Sequence, residues 1–321
     1  MAAVARTLLA VRALGLGDLL TAVPALRALA RAFPDHHRVL AAPAALAPLA
    51  RLTGAVDEVR DVDWLHGVGA LPGDLAGADV AVNLHGAGPE STRAIAASWP
   101  GRLLAFSHGG APPWPAGRHE RERWCVLLAH HGIAADPDDL AVAVPDVRPP
   151  AVAQGATVVH PGAASASRRW PSGRWAVVAR AEEAAGRPVV VTGGAAERPL
   201  AEEVARLAGL PADRVLAGRT SLLELAAVLA AAGRVTSGDT GVAHLAYALG
   251  RPTVTLFGPT PPGLWGPPAR PHHVALHVAG GDGDPHAGRP DERLLRIAPR
   301  EVAAALASPT LAAAAAGKET T

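Results

Sequence analysis

The second half of the chain alternates short β-branched runs with helical stretches, and short glycine-rich turns join them. "ATVVHPG", "RPVVVTGG", "RVTSG" and "TVTLFG" are apolar runs of strand length that end in glycine turns. Between them, "SGRWAVVARAEEAAG" opens on Ser172 as a capping residue and closes on Gly186, while "ERPLAEEVARLAG" and "SLLELAAVLAAAG" keep helical spacing. Strand and helix in alternation mean stacked βαβ units and a parallel sheet, a fold that binds ligands at the carboxyl ends of its strands. The turns "HPG", "TGG", "SGDTG" and "FGPT" all fall at those ends.

The first half follows the same plan with weaker signals. "TLLAVRAL", "HRVLAAP", "VDEVRDV", "ADVAVNL" and "RLLAFS" read as strands, separated by helices or long loops. Leu19, Val23, Leu26, Ala30 and Phe33 recur at helical spacing, and Pro24 among them predicts a kink or a helix start nearby. With 321 residues, about two domains are expected. "DVRPPAVAQG" (146–155) is the linker candidate, dividing the chain into domains over 1–150 and 151–307. A final helix, "PREVAAALA", is expected to pack back on the N-terminal domain, and 308–321 to form a disordered tail.

Composition removes several classes. A net charge of +1 provides no basic field for nucleic acid. The single cysteine, Cys125, excludes an intrachain disulfide and a multi-cysteine zinc site, and fits a reducing cytosol. Arg12 and Asp18 interrupt the apolar start, and no uncharged apolar stretch reaches 18 residues, so neither a secretory leader nor a membrane span is expected. The fourteen histidines show no metal-ligand spacing.

The turns carry the chemistry. In "SGDTG", Gly238 and Gly241 permit close approach to the backbone, and a phosphate fits the amides of Thr240, Gly241 and Val242 at a helix N-terminus. Equally, Asp239 is an N-cap and the glycines serve only the turn. In "HPGAASASRRWP", Arg168 or Arg169 can neutralise phosphate charge, or the loop is a solvated basic one. His160 there reads equally as a strand-end histidine. Glu197, following the Gly193–Gly194 pair, suits a ribose diol or the dipole of the helix that it opens. In "GLGD", Asp18 sits at a strand-to-helix turn as a proton acceptor or as a helix cap. That turn lacks G-x-G-x-x-G, which counts against a dinucleotide enzyme.

Four of these motifs, in this order, resemble glycosyltransferase family 9, the ADP-heptose:lipopolysaccharide heptosyltransferases and their relatives. They are "GLGDLLTAVPALRAL", "HPGAASASRRWPSGRWAVVA", "VVVTGGAAE" and "SGDTGVAHLAYALGRPTVTLFGPTPPGLWGP". The resemblance implies an α/β, GT-B architecture: two Rossmann-like domains facing across a cleft, acceptor on the first and nucleotide sugar on the second. It further implies an inverting, metal-independent transfer without a cofactor. Asp18 matches the catalytic base. Arg168 stands where the family usually has a phosphate-binding lysine. Asp239, Thr240, Gly241, Val242 and His244 match the diphosphate and sugar region, and Glu197 the ribose contact. Gly17, His160, Gly162, Ser167, Arg169, Gly193, Gly194 and Gly238 are further candidates. Two departures stand out: arginine at 168, planar where lysine is a point charge, and the absence of cysteines from "GGDGDPHAGRPDERLLRIAP".

The partners so implied are a nucleotide-sugar donor, with ADP foremost, and a glycan or small-molecule acceptor, in the cytoplasm or at the inner membrane face. A nucleotide-sugar 2-epimerase and a non-catalytic nucleotide-sugar-binding protein are the alternatives. Nothing in the residues sets an oligomeric state.

Overall fold

The computed structural model describes residues 6–280 and 283–316. The chain divides into two compact units, Met1–Ala143 and Val144–Thr321, so the division falls just ahead of the proline linker.

The first unit runs β1 (Thr7–Val11), α1 (Leu16–Ala32), β2 (His37–Ala42), α2 (Ala47–Leu52), β3 (Glu58–Asp61), β4 (Val80–Asn83), α3 (Glu90–Ala96), β5 (Arg102–Leu104) and α4 (Glu120–His130). Its five strands lie in the order β3-β2-β1-β4-β5, all parallel. Leu9, Val11, Val39, Ala81 and Ile95 fill the core beside the sheet, together with Trp64. Each Leu, Val or Ile side chain contributes about 1.5–3 kcal/mol when fully buried. Helix α1 starts at Leu16, well before Pro24, and runs on to Ala32 with Pro24 buried inside it.

The second unit runs β6 (Thr157–His160), α5 (Ser172–Ala184), β7 (Val189–Val191), α6 (Arg198–Ala208), α7 (Leu222–Ala231), β8 (Arg234–Gly238), α8 (Gly241–Ala248), β9 (Thr253–Phe257), α9 (Pro262–Trp265), β10 (His273–His277), α10 (Glu292–Arg296), α11 (Pro299–Leu306) and α12 (Pro309–Ala316). The strand order is β10-β9-β8-β6-β7, again all parallel. Strands β6 to β9 are buried along their whole length, as parallel strands covered on both faces must be.

Three local expectations are corrected. Ser172 is the first helical residue of α5 and makes no capping bond; the N-cap is Pro171. The tail is not without structure over 309–316: α12 forms there, and its Leu311 is fully buried. Helix α11, expected on the N-terminal domain, buries Val302 and Leu306 in the core of the second unit with Val178 and Val254, and α12 adds Leu311 to that core. Three apolar side chains on one packed surface offset the ordering cost of the last turns. Residues 317–321 lie outside the described part.

Both sheets are doubly wound, and each has one point where the strand order reverses. In the first unit it lies between β1 and β4; in the second, between β6 and β8. A ligand crevice opens at such points, beyond the carboxyl ends of the two strands, because their connections leave to opposite faces.

Candidate active site

At the switch point of the second unit, the segment after β6 meets the turn after β8. NH1 of Arg168 donates to the main-chain oxygen of Asp239 at 3.3 Å and lies 3.9 Å from its carboxylate. Nε of the same guanidinium is buried and has no hydrogen-bond partner among the described residues. Gly238 allows this approach: a Cβ there would stand 2.9 Å from the main-chain oxygen of Arg168. Ser167, fully buried, anchors the loop. Its amide donates to Ala287, its hydroxyl to the carbonyl of Pro285, and its carbonyl accepts from the amide of Asp291.

The cap of α8 differs from the sequence reading. Thr240, not Asp239, is the N-cap, and its hydroxyl accepts from the amide of Val242 at 3.3 Å. Val242 has therefore already committed the amide expected for a phosphate. Asp239 is buried, and its amide donates to Leu256. Gly241 opens the helix, and His244 packs edge-on against Tyr247 and Trp265, with ring centroids 5.6 and 5.8 Å away. Arg169 turns back on its own loop, Nε donating to the carbonyl of Ala163 at 2.8 Å. Of the two loop arginines, Arg168 is the one aimed at the α8 turn.

One strand over, Glu197 accepts from the amide of Gly194 at 2.8 Å. Its carboxylate occupies the space that a side chain at Gly162 would need, while Gly193 lies against Ala217 and the Cβ of Glu197. His160 is buried at the end of β6, with Nδ1 3.1 Å from the hydroxyl of Thr192 and Nε2 3.9 Å from Glu197. Burial holds this imidazole below its ordinary value, with the Glu197 charge opposing. A histidine held toward its neutral form and a carboxylate thus sit together beyond the ends of β6 and β7, a pair of acceptors suited to hydroxyl groups.

At the switch point of the first unit stands Asp18, in the first turn of α1 with Gly17. Gly15 is the N-cap, so Asp18 is not the helix cap. Arg12, next after β1 and only 1% exposed, donates NH2 to the Asp18 carboxylate at 3.0 Å and NH1 to the carbonyl of Leu84, beyond β4, at 2.6 Å. The Asp18 side chain remains 26% exposed. Its proton affinity is nevertheless raised, chiefly by desolvation; Arg12 pulls it down, Glu120 pushes it up, and main-chain bonds at Gly15 and Asp18 lower it. Desolvation thus outweighs the pull of Arg12 and of the main-chain donors. In "DPDD" (136–139), Asp138 pairs with Arg121 and Asp139 with Arg27 and Arg31, while the carboxylate of Asp136 accepts from the Asp138 amide at 2.9 Å.

Sequence reasoning missed Arg12 and Glu120. The one available signal was the charge of Arg12 inside an apolar run, which is rare without a buried partner.

Two Rossmann-like units, the second with the Arg168 cation beside the N-terminus of α8 at its switch point, make up the chain. Residues 113–281 match the family model of glycosyltransferase family 9 (heptosyltransferase), and the chain belongs to that family. It is 42% identical over 101 residues to lipopolysaccharide heptosyltransferase 1 of Pseudomonas aeruginosa, an alignment covering 31% of this chain and 28% of that one. The chain thus spans less than a third of the length of this curated relative in the match. Its fold is that of E. coli ADP-heptose lps heptosyltransferase II, with a TM-score of 0.74 at 20% identity, covering 98% of this chain and all of that one. E. coli heptosyltransferase WaaC with ADP is also similar, at a TM-score of 0.63 and 22% identity over 92% of this chain and 97% of that one.

Proposed function

We propose that the protein is an inverting, metal-independent glycosyltransferase that moves a heptose or related sugar from an ADP-linked donor to a hydroxyl of a glycan or other acceptor. The observation that carries this reading is the Arg168 guanidinium, tethered by NH1 to the α8 turn while its Nε is buried and unpaired. An anion between Arg168 and the amides of Thr240 and Gly241 would satisfy that donor and meet the positive end of the helix. Glu197, against the glycines at 162 and 194, would accept from the ribose diol.

In this mechanism Asp18 takes the proton of the acceptor hydroxyl. The oxygen attacks the anomeric carbon, the bond from that carbon to the diphosphate breaks, and its electron pair leaves with the diphosphate. Attack opposite the leaving group inverts the centre. Arg168 and the helix amides stabilise the growing diphosphate charge, the work that a divalent cation does elsewhere. A lipid-linked acceptor would bring the protein to the inner face of a membrane; no helix among the described residues is long and apolar enough to cross one.

The test is turnover of ADP-heptose with a lipopolysaccharide-core acceptor, with and without EDTA, in the wild type, Asp18→Asn and Arg168→Ala. Activity that survives EDTA and fails in Asp18→Asn supports the reading. Conversion of donor without acceptor would move the assignment to an epimerase. Donor binding without any turnover would leave a binding protein.

A further inference from the structure

The carboxylate of Asp18 is not the only one that holds Arg12. NH2 of Arg12 lies 2.8 Å from Oε1 of Glu120, closer than the 3.0 Å to Oδ1 of Asp18, and 3.4 Å from the hydroxyl of Thr21. Nε donates to the carbonyl of Asp18 at 3.0 Å and NH1 to Leu84. The two protons of NH2 are therefore divided among three oxygens. The guanidinium also lies over Trp124, 4.9 Å from the ring centroid, with no room to turn.

Glu120 is equally fixed. It is 3% exposed, in the first turn of α4, and its second oxygen is bonded to NH1 of Arg123. Arg123 is in turn pinned by the carbonyls of Pro115 and Ala116 and stacked over Trp114 at 4.8 Å. Two cations and two carboxylates form one chain, Arg123–Glu120–Arg12–Asp18, and only the Asp18 end retains appreciable exposure.

We propose that Glu120 is a positioning residue which, by engaging Arg12, holds that guanidinium in place and keeps it from neutralising Asp18, so that the Asp18 carboxylate remains oriented and able to take a proton. The role in turnover rests on Asp18 being the base; the effect on Asp18 itself does not. A carboxylate with an arginine to itself becomes a stronger acid, shifted down by about 1–3 units, and correspondingly a poorer base. Here the arginine is shared. The groups facing Asp18 are Arg12 from the segment after β1, Glu120 from α4, Thr21 from its own helix through Arg12, and the main chain at Gly15. Arg123 stands one step further, behind Glu120. His85, after β4, is near enough to feel Arg12; burial first and Arg12 second hold it down to about 4, so it adds no charge at neutral pH. Among the described residues, Glu120 is thus the anion that offsets Arg12 at Asp18. A Glu120 that only neutralised the buried arginines, with its own charge spent on them and none felt at Asp18, would on its loss cost stability without moving the titration of Asp18.

The experiment follows the 13Cγ signal of Asp18 by NMR in the aspartate-labelled full chain, assigned with Asp18→Asn, in wild type, Glu120→Gln and Glu120→Asp. The expected midpoint of Asp18 falls by about 1 unit in Glu120→Gln. The acid limb of kcat/KM moves down with it, while the affinity for ADP is unchanged. Should Glu120→Gln fail to fold, Glu120→Asp, which keeps the charge but withdraws it from Arg12 by one methylene, should show a smaller fall. An unchanged Asp18 midpoint in the folded variant overturns the inference. The midpoint is read without turnover. A fully active Asp18→Asn would remove the base assignment and leave the titration result standing, and an unmoved midpoint with an inactive Asp18→Asn would remove the positioning role alone.

Discussion

NH1 of Arg168 lies 3.3 Å from the main-chain oxygen of Asp239, tying the loop after β6 to the turn after β8. The first unit has a counterpart: NH1 of Arg12, after β1, reaches the carbonyl of Leu84, after β4, at 2.6 Å. In each sheet an arginine crosses the switch point and bonds the far connection, the place where a ligand crevice opens. The two differ in exposure. Arg12 is sealed under Trp124 with carboxylates on it, whereas the Arg168 side chain is 23% exposed with a nitrogen unpaired. The first is enclosed by protein partners; the second keeps an unpaired donor, the one to which the proposed function assigns the diphosphate.

Arg168→Ala should therefore weaken binding of ADP by about 1–3 kcal/mol, the worth of a charge-assisted hydrogen bond. Titration calorimetry checks it. Affinity equal to that of wild type would take Arg168 out of the site.

Gly162→Ala should damage the same affinity through Glu197. The new Cβ meets the Glu197 carboxylate and drives it off the Gly194 amide. Two substitutions acting on one contact are not additive. Gly162→Ala combined with Glu197→Ala should bind ADP no worse than Glu197→Ala alone. Additive losses would mean that Gly162 matters for another reason.

Asp18→Asn should lower kcat by about 10²–10⁴-fold, the usual cost of a lost general base. It should not lower Tm at neutral pH. The folded chain raises the proton affinity of Asp18 above its ordinary value of 3.8, so the folded state binds that proton more tightly than the unfolded state. The contribution favours folding below 3.8 and is lost as pH rises through the raised folded value; at neutral pH the charge opposes folding. Asparagine removes that charge, so the variant should melt at or above wild type near neutrality, with the gap closing in acid. A lower Tm at neutral pH would contradict the desolvation argument.

Cys125 should resist thiol reagents in the folded protein. Burial, with Asp136 adding to it, pushes its thiol up to about 12, leaving almost no thiolate at neutral pH. Reaction with Ellman's reagent should be slow until denaturant is added; fast labelling of the native chain would show the thiol to be reachable.

Much of the scaffold follows from local sequence. Five apolar runs in the first half became β1 to β5, and the glycine turns after β6, β7, β8 and β9 lie at strand carboxyl ends. Period and turn chemistry act over a few residues, so they are legible without the fold. Strand β10 was missed: it is a half-buried edge strand begun and ended by histidines, with little apolar contrast. The caps at Ser172 and Asp239 were misplaced by one residue, because a cap depends on where the backbone enters the helix and not on residue type alone.

The sequence by itself determined the alternation of strand and helix, the glycine turns at the strand ends, and the family motifs on them. Tertiary structure decided which charges meet. Glu120 is 108 residues from Arg12, and Asp239 is 71 from Arg168. No period or spacing encodes such pairings; they arise when parallel strands bring remote carboxyl ends side by side. The proton affinity of Asp18 was likewise a matter of the folded surroundings. Its helix position favours the charge, but burial around it, with Glu120 adding its repulsion, outweighs that and the pull of Arg12.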